Sequence, residues 1–248
     1  MQKIGPKKFH FSLFDLSLYH IDTTSLSSLI STTKSSELVL ATFTINREQI
    51  QSLKQLVLAK AEQRKTSFHC STIVVAFAYI WTRFVQAKQI DNTKGACLLI
   101  PADTRERIQP PLPTDYFGNC ILPCMAIANV ADLIQDDGVY VAVEALGKAI
   151  DKLNERLKVP RSWFDEHASL RGRILSVAGS PKFKVYDVNF LLGRPCKVEI
   201  ISATKTGAMS VAESRGEQGG IEVGIAFPKA EMDCFKKYFF EGLRLLSD

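Results

Sequence analysis

Four histidines are the residues of this sequence best suited to act as a general base, because imidazole titrates near neutral pH. They are His10, His20, His69 and His167. His69 is followed by Cys70 directly before a predicted helix, where the helix dipole would lower the pKa of a thiol, so a nucleophile pair is one interpretation. Side chains adjacent in sequence rarely point at one another, which favours a structural role for these two residues. His20 and His167 are predicted to be ordinary surface histidines.

The six cysteines offer a second kind of chemistry, metal binding or disulfide formation. They lie far apart and mostly inside apolar segments, which makes a poor disulfide or zinc framework. Cys120 and Cys124 have a spacing that would need two further ligands, and none is adjacent in sequence. We therefore predict no metal site, and free thiols in a reducing compartment. Glycine-rich loops of the P-loop or Rossmann type are also absent from the sequence, so nucleotide hydrolysis and nicotinamide redox chemistry have no support.

The charge balance argues against a nucleic-acid partner. The chain has 31 Lys and Arg against 26 Asp and Glu, a net charge of +5, and the basic residues are scattered. This balance suits an anionic small ligand. The longest apolar runs, such as Ile73 to Trp81, are shorter than the roughly 18 to 20 residues that span a bilayer, and the first residues lack the apolar core of a signal peptide. We expect a cytoplasmic protein with no membrane partner.

The first third of the chain is predicted to contain a lead-in, then a strand and two helices. Residues 1–37 are predicted to be a lead-in or linker, because their Ser/Thr-rich stretch has weak periodicity. The β-branched run Leu38 to Thr44 predicts a strand. Asn46, with Gln49 three residues later, predicts a capping box at the start of a helix. The apolar face of that helix carries Ile50, Leu53, Leu56, Val57 and Ala61. Thr72 to Lys88 is apolar nearly all round and is predicted to be a buried helix.

The rest of the chain mixes short strands with two long helices. We predict strands at Cys97 to Ala102, Cys120 to Ala128, Lys197 to Ser202, Ala208 to Ala212 and Ile221 to Phe227. We predict helices at Val139 to Leu157 and Lys229 to Leu246. Helices early and in the middle, followed by three strands near the end, predict an α/β (α+β) fold with a mixed β-sheet flanked by helices.

Three segments carry a resemblance to a known family. They are Ile100-Pro-Ala-Asp-Thr-Arg-Glu-Arg107 with Pro110-Pro-Leu-Pro113, then Tyr116-Phe-Gly-Asn-Cys120, and finally Tyr186-Asp-Val-Asn-Phe-Leu-Leu-Gly-Arg-Pro195. They resemble the C-terminal half of plant BAHD acyl-CoA-dependent acyltransferases, most closely the branch that malonylates anthocyanin, flavonoid and phenolic glucosides. The more specific signature is formed by Tyr116, Phe117, Gly118, Asn119 and Cys120. The resemblance implies a C-terminal BAHD-type domain over residues 38–248.

The resemblance implies a two-domain, chloramphenicol-acetyltransferase-like fold with a solvent channel between the domains. Acyl-CoA, here expected to be malonyl-CoA, enters from one side as co-substrate, and a phenolic or flavonoid glucoside enters from the other. No further cofactor is implied. In the family, the histidine of an H-x-x-x-D motif in the N-terminal domain deprotonates the acceptor hydroxyl. A D-F-G-W-G loop in the C-terminal domain is structural, and its Asp pairs with an Arg of a D-x-R-x-R segment, which corresponds here to Arg105.

The sequence departs from the family pattern at the catalytic motif. The four histidines are followed, four residues later, by Phe14, Thr24, Ile73 and Arg171, so the sequence contains no H-x-x-x-D. We therefore assign no catalytic residue within the chain. A positioned base contributes about 10²- to 10⁴-fold in rate, so the loss bears directly on activity.

The second departure lies in the D-F-G-W-G loop, which stands here as Asn189-Phe190-Leu191-Leu192-Gly193. An amide therefore replaces the carboxylate expected to pair with Arg105, and an amide lacks the strength of a charge-assisted hydrogen bond. Asp187 carries a charge two residues earlier, in a shifted register. Arg105, Asn189, Phe190 and Gly193 form the predicted structural motif.

The sequence thus predicts a protein of this acyltransferase family, related to enzymes that transfer a malonyl or other acyl group from acyl-CoA to a hydroxyl of a phenolic glucoside. Without the catalytic motif, two alternatives stay open. One is a catalytically inactive CoA-binding or interaction protein. The other is a half-enzyme that a partner chain with an N-terminal catalytic domain completes. An uncovered inter-domain face favours such pairing or self-association.

Overall fold

The computed structural model describes residues 38–157, 168–170, 172–189, 191–200 and 206–246, and their centre is a six-stranded sheet of order β1-β6-β5-β4-β2-β3. The strands are β1 (Leu38–Ile45), β2 (Gly95–Asp103), β3 (Ile121–Asn129), β4 (Ile174–Gly179), β5 (Met209–Glu213) and β6 (Ile221–Pro228). Strand β4 runs parallel to β2 and β5, while the other pairs are antiparallel. The predicted α/β (α+β) fold with a mixed sheet is confirmed.

Helices cover one face of this sheet, which we call the inner face. They are α1 (Arg47–Gln63), α2 (Thr72–Ala87), α3 (Val130–Leu133), α4 (Gly138–Asp151), α5 (Leu153–Arg156) and α6 (Lys229–Arg244). Helix α2 contacts α1, α4 and α6, and its apolar side chains are buried nearly all round, as predicted. A helix that is apolar on every side is stable only at the centre of such a layer.

The first strand and helix form as their sequence predicts. Alternate side chains of β1 are buried at its end, and Asn46 then caps α1. The Asn46 Oδ1 accepts the Gln49 N–H at 2.7 Å, and the Gln49 Oε1 accepts the Asn46 N–H at 3.0 Å. This reciprocal capping box satisfies two backbone donors that would otherwise be unpaired at the helix start. Four of the five predicted face residues of α1 are buried, whereas Leu56 is exposed.

An aromatic cluster joins α6 to the sheet. The Phe235 ring on α6 lies 4.9 Å from that of Phe43 on β1, 5.5 Å from that of Phe227 on β6, and 5.9 Å from that of Phe239. All four side chains are buried. Aromatic pairs at these separations stabilise the fold beyond the apolar area that they bury.

Two predicted elements differ from the structure, and one strand was not predicted. The helix predicted over Val139 to Leu157 is divided, because Lys152 adopts φ −83° and ψ 0°, separating α4 from α5. Residues Lys197–Ile200 form no strand, although they alternate, since they lie as an extended segment over the sheet instead of within it. The strand between β2 and β5 is β4, which was not predicted. Residues 201–202 of the predicted strand lie outside the described residues.

The opposite, outer face of the sheet is covered only in part. Over β5, β6 and β1 lie residues 180–189 and 191–200, which we call the outer-face segment. Over β2 and β3, a separate small cluster is formed by Cys97, Leu99, Met125 and Leu170. Leu40 of β1 and Ile127 of β3 point to solvent and are 39% and 41% exposed. The outer face therefore offers the surface on which a site can be built.

Candidate functional site

The first and second resembling segments lie together at the end of the β2–β3 hairpin. The Thr104 N–H donates to the Cys120 carbonyl at 3.0 Å, and the Thr104 hydroxyl donates to the same oxygen at 3.1 Å. The Thr104 hydroxyl also lies 3.3 Å from the Cys120 sulfur. Both side chains are buried, so these bonds hold the two segments in a fixed relation. Sequence reasoning missed Thr104, although its position between Asp103 and Arg105 in the motif was a signal.

Arg105 ties the hairpin end to the Tyr116–Cys120 signature. One guanidinium nitrogen donates to the Gly118 carbonyl at 2.9 Å, and another forms an ion pair with Asp103 at 2.8 Å. The Tyr116 ring lies over Gly118, where a Cβ atom would approach the Tyr116 hydroxyl to 2.2 Å. Phe117 and Asn119 are exposed and Cys120 is buried. The signature therefore has a structural anchor in Cys120 and presents Phe117 and Asn119 to solvent.

The structure gives Arg105 and Asn189 different partners. The Asn189 Oδ1 accepts the N–H groups of Leu191 at 2.8 Å and Gly193 at 3.3 Å, so this amide closes its own loop. Gly193 adopts φ +95°, which glycine tolerates best. The ion pair near this loop joins Arg194 to Asp187 at 3.4 Å. The pairing between Arg105 and position 189 that the resemblance implied is absent from the hydrogen bonds of the described residues. Phe190 lies outside them.

A polar groove of about 740 Å³ lies between the outer-face segment and the ends of β1, β5 and β6. Its charged and hydroxyl side chains include Tyr186, Arg194, Lys197, Glu213, Arg215 and Glu222. With Asp187, the ion-pair partner of Arg194, three cations and three carboxylates thus line one open groove. The sequence did not predict this group, although the alternation of β5 and β6 was a signal that Glu213 and Glu222 lie near the same hairpin end.

Tyr186 organises the carboxylates of the groove. Its hydroxyl donates to Glu222 Oε2 at 2.7 Å and its N–H donates to Glu213 Oε1 at 2.9 Å. Burial, and then the hydrogen bond to Glu222, raise the pKa of Tyr186. The phenol therefore stays protonated and acts as a donor. The second oxygen of Glu213 is buried and accepts no hydrogen bond from the described residues.

A small apolar cavity of about 70 Å³ adjoins the groove. It lies between the outer-face segment, represented by Phe183, Val198 and Ile200, and the strands, represented by Leu40 and Val211. Lys197 donates a hydrogen bond to the Thr42 hydroxyl and fixes the segment over β1. An apolar cavity beside a polar groove can hold an apolar group next to an anionic or hydroxyl-bearing one.

His69 is the histidine within the described residues, and its geometry is that of a surface residue. It is exposed, and its backbone N–H donates to the Asp151 carboxylate at 3.2 Å. Burial raises the pKa of the neighbouring Cys70 thiol, and Lys54 offsets this only in part. A raised pKa is opposite to what a thiolate nucleophile needs. His10, His20 and His167 lie outside the described residues.

Two further features bear on the class of site. Within the described ranges, no three His, Cys, Asp or Glu side chains are grouped so that they could hold a metal ion. Among the described helices, none has the length and apolar character needed to cross a membrane.

Comparisons with known proteins identify the relatives of this chain. The family model described as "Transferase family" matches residues 8–241. Phenolic glucoside malonyltransferase 2 of Arabidopsis thaliana is 35% identical over 224 residues, which are 88% of this chain and 49% of that protein. Coumaroyl-CoA:anthocyanidin 3-O-glucoside-6''-O-coumaroyltransferase 1 of Arabidopsis thaliana is 33% identical over 84% of this chain and 47% of its own length. The chain spans about half the length of the curated relatives that it matches.

A solved structure shows the same fold. F. sporotrichioides TRI101, in complex with coenzyme A and T-2, matches with a TM-score of 0.62 at 15% identity, over 86% of this chain and 51% of that one. The family model covers most of the chain, and the mixed sheet with its flanking helices agrees with the fold of TRI101. This chain therefore belongs to the Transferase family of BAHD acyl-CoA-dependent acyltransferases.

Proposed function

We propose that the chain takes part in transferring a malonyl or other acyl group from acyl-CoA to a hydroxyl of a phenolic glucoside, as one half of the catalytic unit. A histidine-bearing domain supplies the base. The base removes the proton of the acceptor hydroxyl while the hydroxyl oxygen attacks the thioester carbonyl. The carbon–sulfur bond then breaks, and the proton passes to the sulfur of the departing CoA.

The observation that carries this proposal is the family match over residues 8–241 of a sequence that has no H-x-x-x-D motif. The names of the relatives support the substrate class, since they describe transfer of malonyl and coumaroyl groups to phenolic and anthocyanidin glucosides. The relatives are about twice as long as the matched region, which supports a second domain in the working unit.

The groove on the outer face supports a role in holding the anionic part of acyl-CoA. Arg194, Lys197 and Arg215 line it, and phosphate or carboxylate groups bind well to such cations. The adjoining apolar cavity is suited to an apolar part of a substrate. Because the groove opens on the face that helices leave uncovered, a second domain placed there would enclose the substrates and exclude water.

The cellular location that we propose is the cytoplasm. Cys70, Cys120, Cys196 and Cys234 are free thiols, and free thiols persist in a reducing compartment.

Product formation tests the proposal directly. The chain is incubated with malonyl-CoA or coumaroyl-CoA and a panel of phenolic glucosides, alone and mixed with a separately made histidine-bearing domain of a family member. The acylated glucoside is measured by mass spectrometry, because the exposed Cys196 would react with a thiol-trapping reagent. We expect product only from the mixture, and a H69A variant should behave like the unchanged chain.

Two outcomes would overturn the proposal in different ways. Product from the chain alone that disappears in H69A would show that the chain carries its own base. No product from either sample, with both proteins folded, would favour an inactive CoA-binding protein. In an active mixture, R194Q should raise the KM for acyl-CoA several-fold, whereas R244Q, an exposed arginine on helix α6, should not.

A further inference from the structure

The two edge strands of the sheet differ in how well they are protected from pairing with another chain. Among the described residues, the edges are β1 and β3, since each has one neighbour in the strand order. A free edge presents unpaired N–H and C=O groups, and proteins usually blunt it with proline, charge or a bulge. Sheet edges that lack all three are templates for another strand.

Strand β3 carries such a device. Pro123 of β3 faces Pro101 of β2 in the antiparallel register. Neither residue has an N–H to donate, so this position is a non-hydrogen-bonded pair, and the backbone nitrogen of Pro123 points to the free edge. An added strand would therefore lose a donor in the middle of β3.

Strand β1 carries no such device. Its eight residues, Leu-Val-Leu-Ala-Thr-Phe-Thr-Ile, include no proline, no glycine and no charged side chain, and all eight pair in unbroken register with β6. Beside this edge, Phe240 of helix α6 is exposed, with its ring 6.2 Å from that of Phe43. The strand's own residues therefore form an uncharged and regular pairing edge, and the charge that lies over it belongs to Lys197, which donates to Thr42.

We infer that β1 is a self-association edge, where β1 of a second copy pairs in antiparallel orientation and extends the sheet to twice its width. A second copy fits because the side chains of one β1 strand are compatible with those of another. The outer-face side chains Leu40, Thr42 and Thr44 would face uncharged side chains of the second β1 in any antiparallel register, so the strand's own residues bring no like charges together. A two-fold axis makes such an interface isologous and closed.

The position of the two-fold axis along β1 follows from the side chains that lie over this strand. Directly opposed residues of antiparallel strands lie on the same face, so the axis passes through a residue. An axis at Thr42 would bring together two Lys197 side chains, because each donates to Thr42. An axis at Ala41 avoids this and places Leu40 opposite Thr42, and Val39 opposite Phe43. The pairing uses the backbone edge of β1, whereas the groove is lined by side chains of β1 such as Thr42, so dimer mass and acyl transfer are measured separately.

Sedimentation velocity of the full chain tests the inference. We expect a species of twice the 27.6 kDa chain mass at micromolar concentration. L40K places a charge on β1 and should weaken the dimer by about tenfold, since two such charges enter each interface. I127K places the same charge on the protected edge strand, at a similarly exposed position, and should leave the dimer unchanged.

Cysteine cross-linking tests the register. In a C196S background, A41C should form an oxidised dimer, because directly opposed Cα atoms lie about 4.5 to 5.5 Å apart, within disulfide range. T44C should not, since the two copies would be about 20 Å apart along the strands. A monomeric mass at every concentration would overturn the inference, as would equal effects of L40K and I127K. Efficient linking by T44C instead of A41C would overturn the assigned axis.

Discussion

The two faces of the sheet differ in what holds them together. The inner face is closed by α2, α4 and α6, and most of its side chains are buried. The outer face is held by individual hydrogen bonds, such as those from Tyr186 to Glu222 and from Lys197 to Thr42. Packing of this kind makes the inner face the source of stability, while the polar outer face is open to a ligand or a second domain.

The largest expected difference between the faces concerns core packing. F235A removes a fully buried ring from the aromatic cluster and should lower the free energy of unfolding by about 3 to 5 kcal/mol. L40A removes a partly exposed side chain from the outer face and should cost less than about 1 kcal/mol. Urea denaturation of both variants measures the two values. Similar losses would contradict the view that stability resides mainly on the inner face.

The next difference between the two faces is how a tyrosine on each face affects stability at alkaline pH. Burial raises the pKa of Tyr79, on the inner face, to about 12. The unfolded chain loses this proton near pH 10 and the folded chain keeps it, so the stabilisation is complete below pH 10 and is lost as the pH rises toward 12. Stability should fall by about 2 to 3 kcal/mol over that interval from this group.

Urea titrations between pH 9 and 12 check this expectation, with Y79F as the test and Y186F as the comparison. Y79F should flatten the decrease in stability above pH 10. Tyr186, whose pKa is also raised, contributes in the same direction. An unchanged slope in Y79F would show that the inner-face phenol does not control alkaline unfolding.

The smallest expected effect lies in the loop of the outer-face segment. Leu191 stands where the family has glycine, and it adopts φ +68°, a conformation that costs a residue with a Cβ atom about 1 kcal/mol. Its side chain is 96% exposed, so no buried contact would be lost on removal. L191G should therefore stabilise the fold by about 0.5 to 1 kcal/mol, measured by thermal unfolding.

The matched control for this loop is L192G. Leu192 is equally exposed, at 95%, but it has no positive φ, so glycine there should be neutral or slightly destabilising. If both variants raise the melting temperature equally, strain at Leu191 is not the cause.

Local patterns in the sequence predicted the elements whose formation depends on neighbouring residues. The Asn46–Gln49 capping box and the buried helix α2 are confirmed, because capping and burial periodicity act over a few residues. Strand β4 was missed because it is short and pairs with strands distant in the chain. The alternation of Lys197 to Ile200 was misleading, since period-two alternation is the same in a strand and in an extended segment lying on a sheet.

The candidate site, like the fold, was predicted from the sequence only in part. The signature residues 116–120 and Arg105 were recognised from the sequence, and the absence of an H-x-x-x-D motif is a property of the sequence alone. The partners of Arg105 and Asn189, and the gathering of Tyr186, Glu213 and Glu222, were not. They depend on contacts between segments far apart in the chain, whose distance and direction no local pattern encodes.

The sequence by itself determined the family and the mixed sheet with its helical layer, and these 248 residues contain no H-x-x-x-D, because all three follow from residue types and short spacings. Only the tertiary structure decided which face of the sheet is open, which motif residues meet, and which edge strand lacks protection. The physical reason is that burial and hydrogen-bond partners are properties of three-dimensional neighbours, and these neighbours come together only when the sheet has formed.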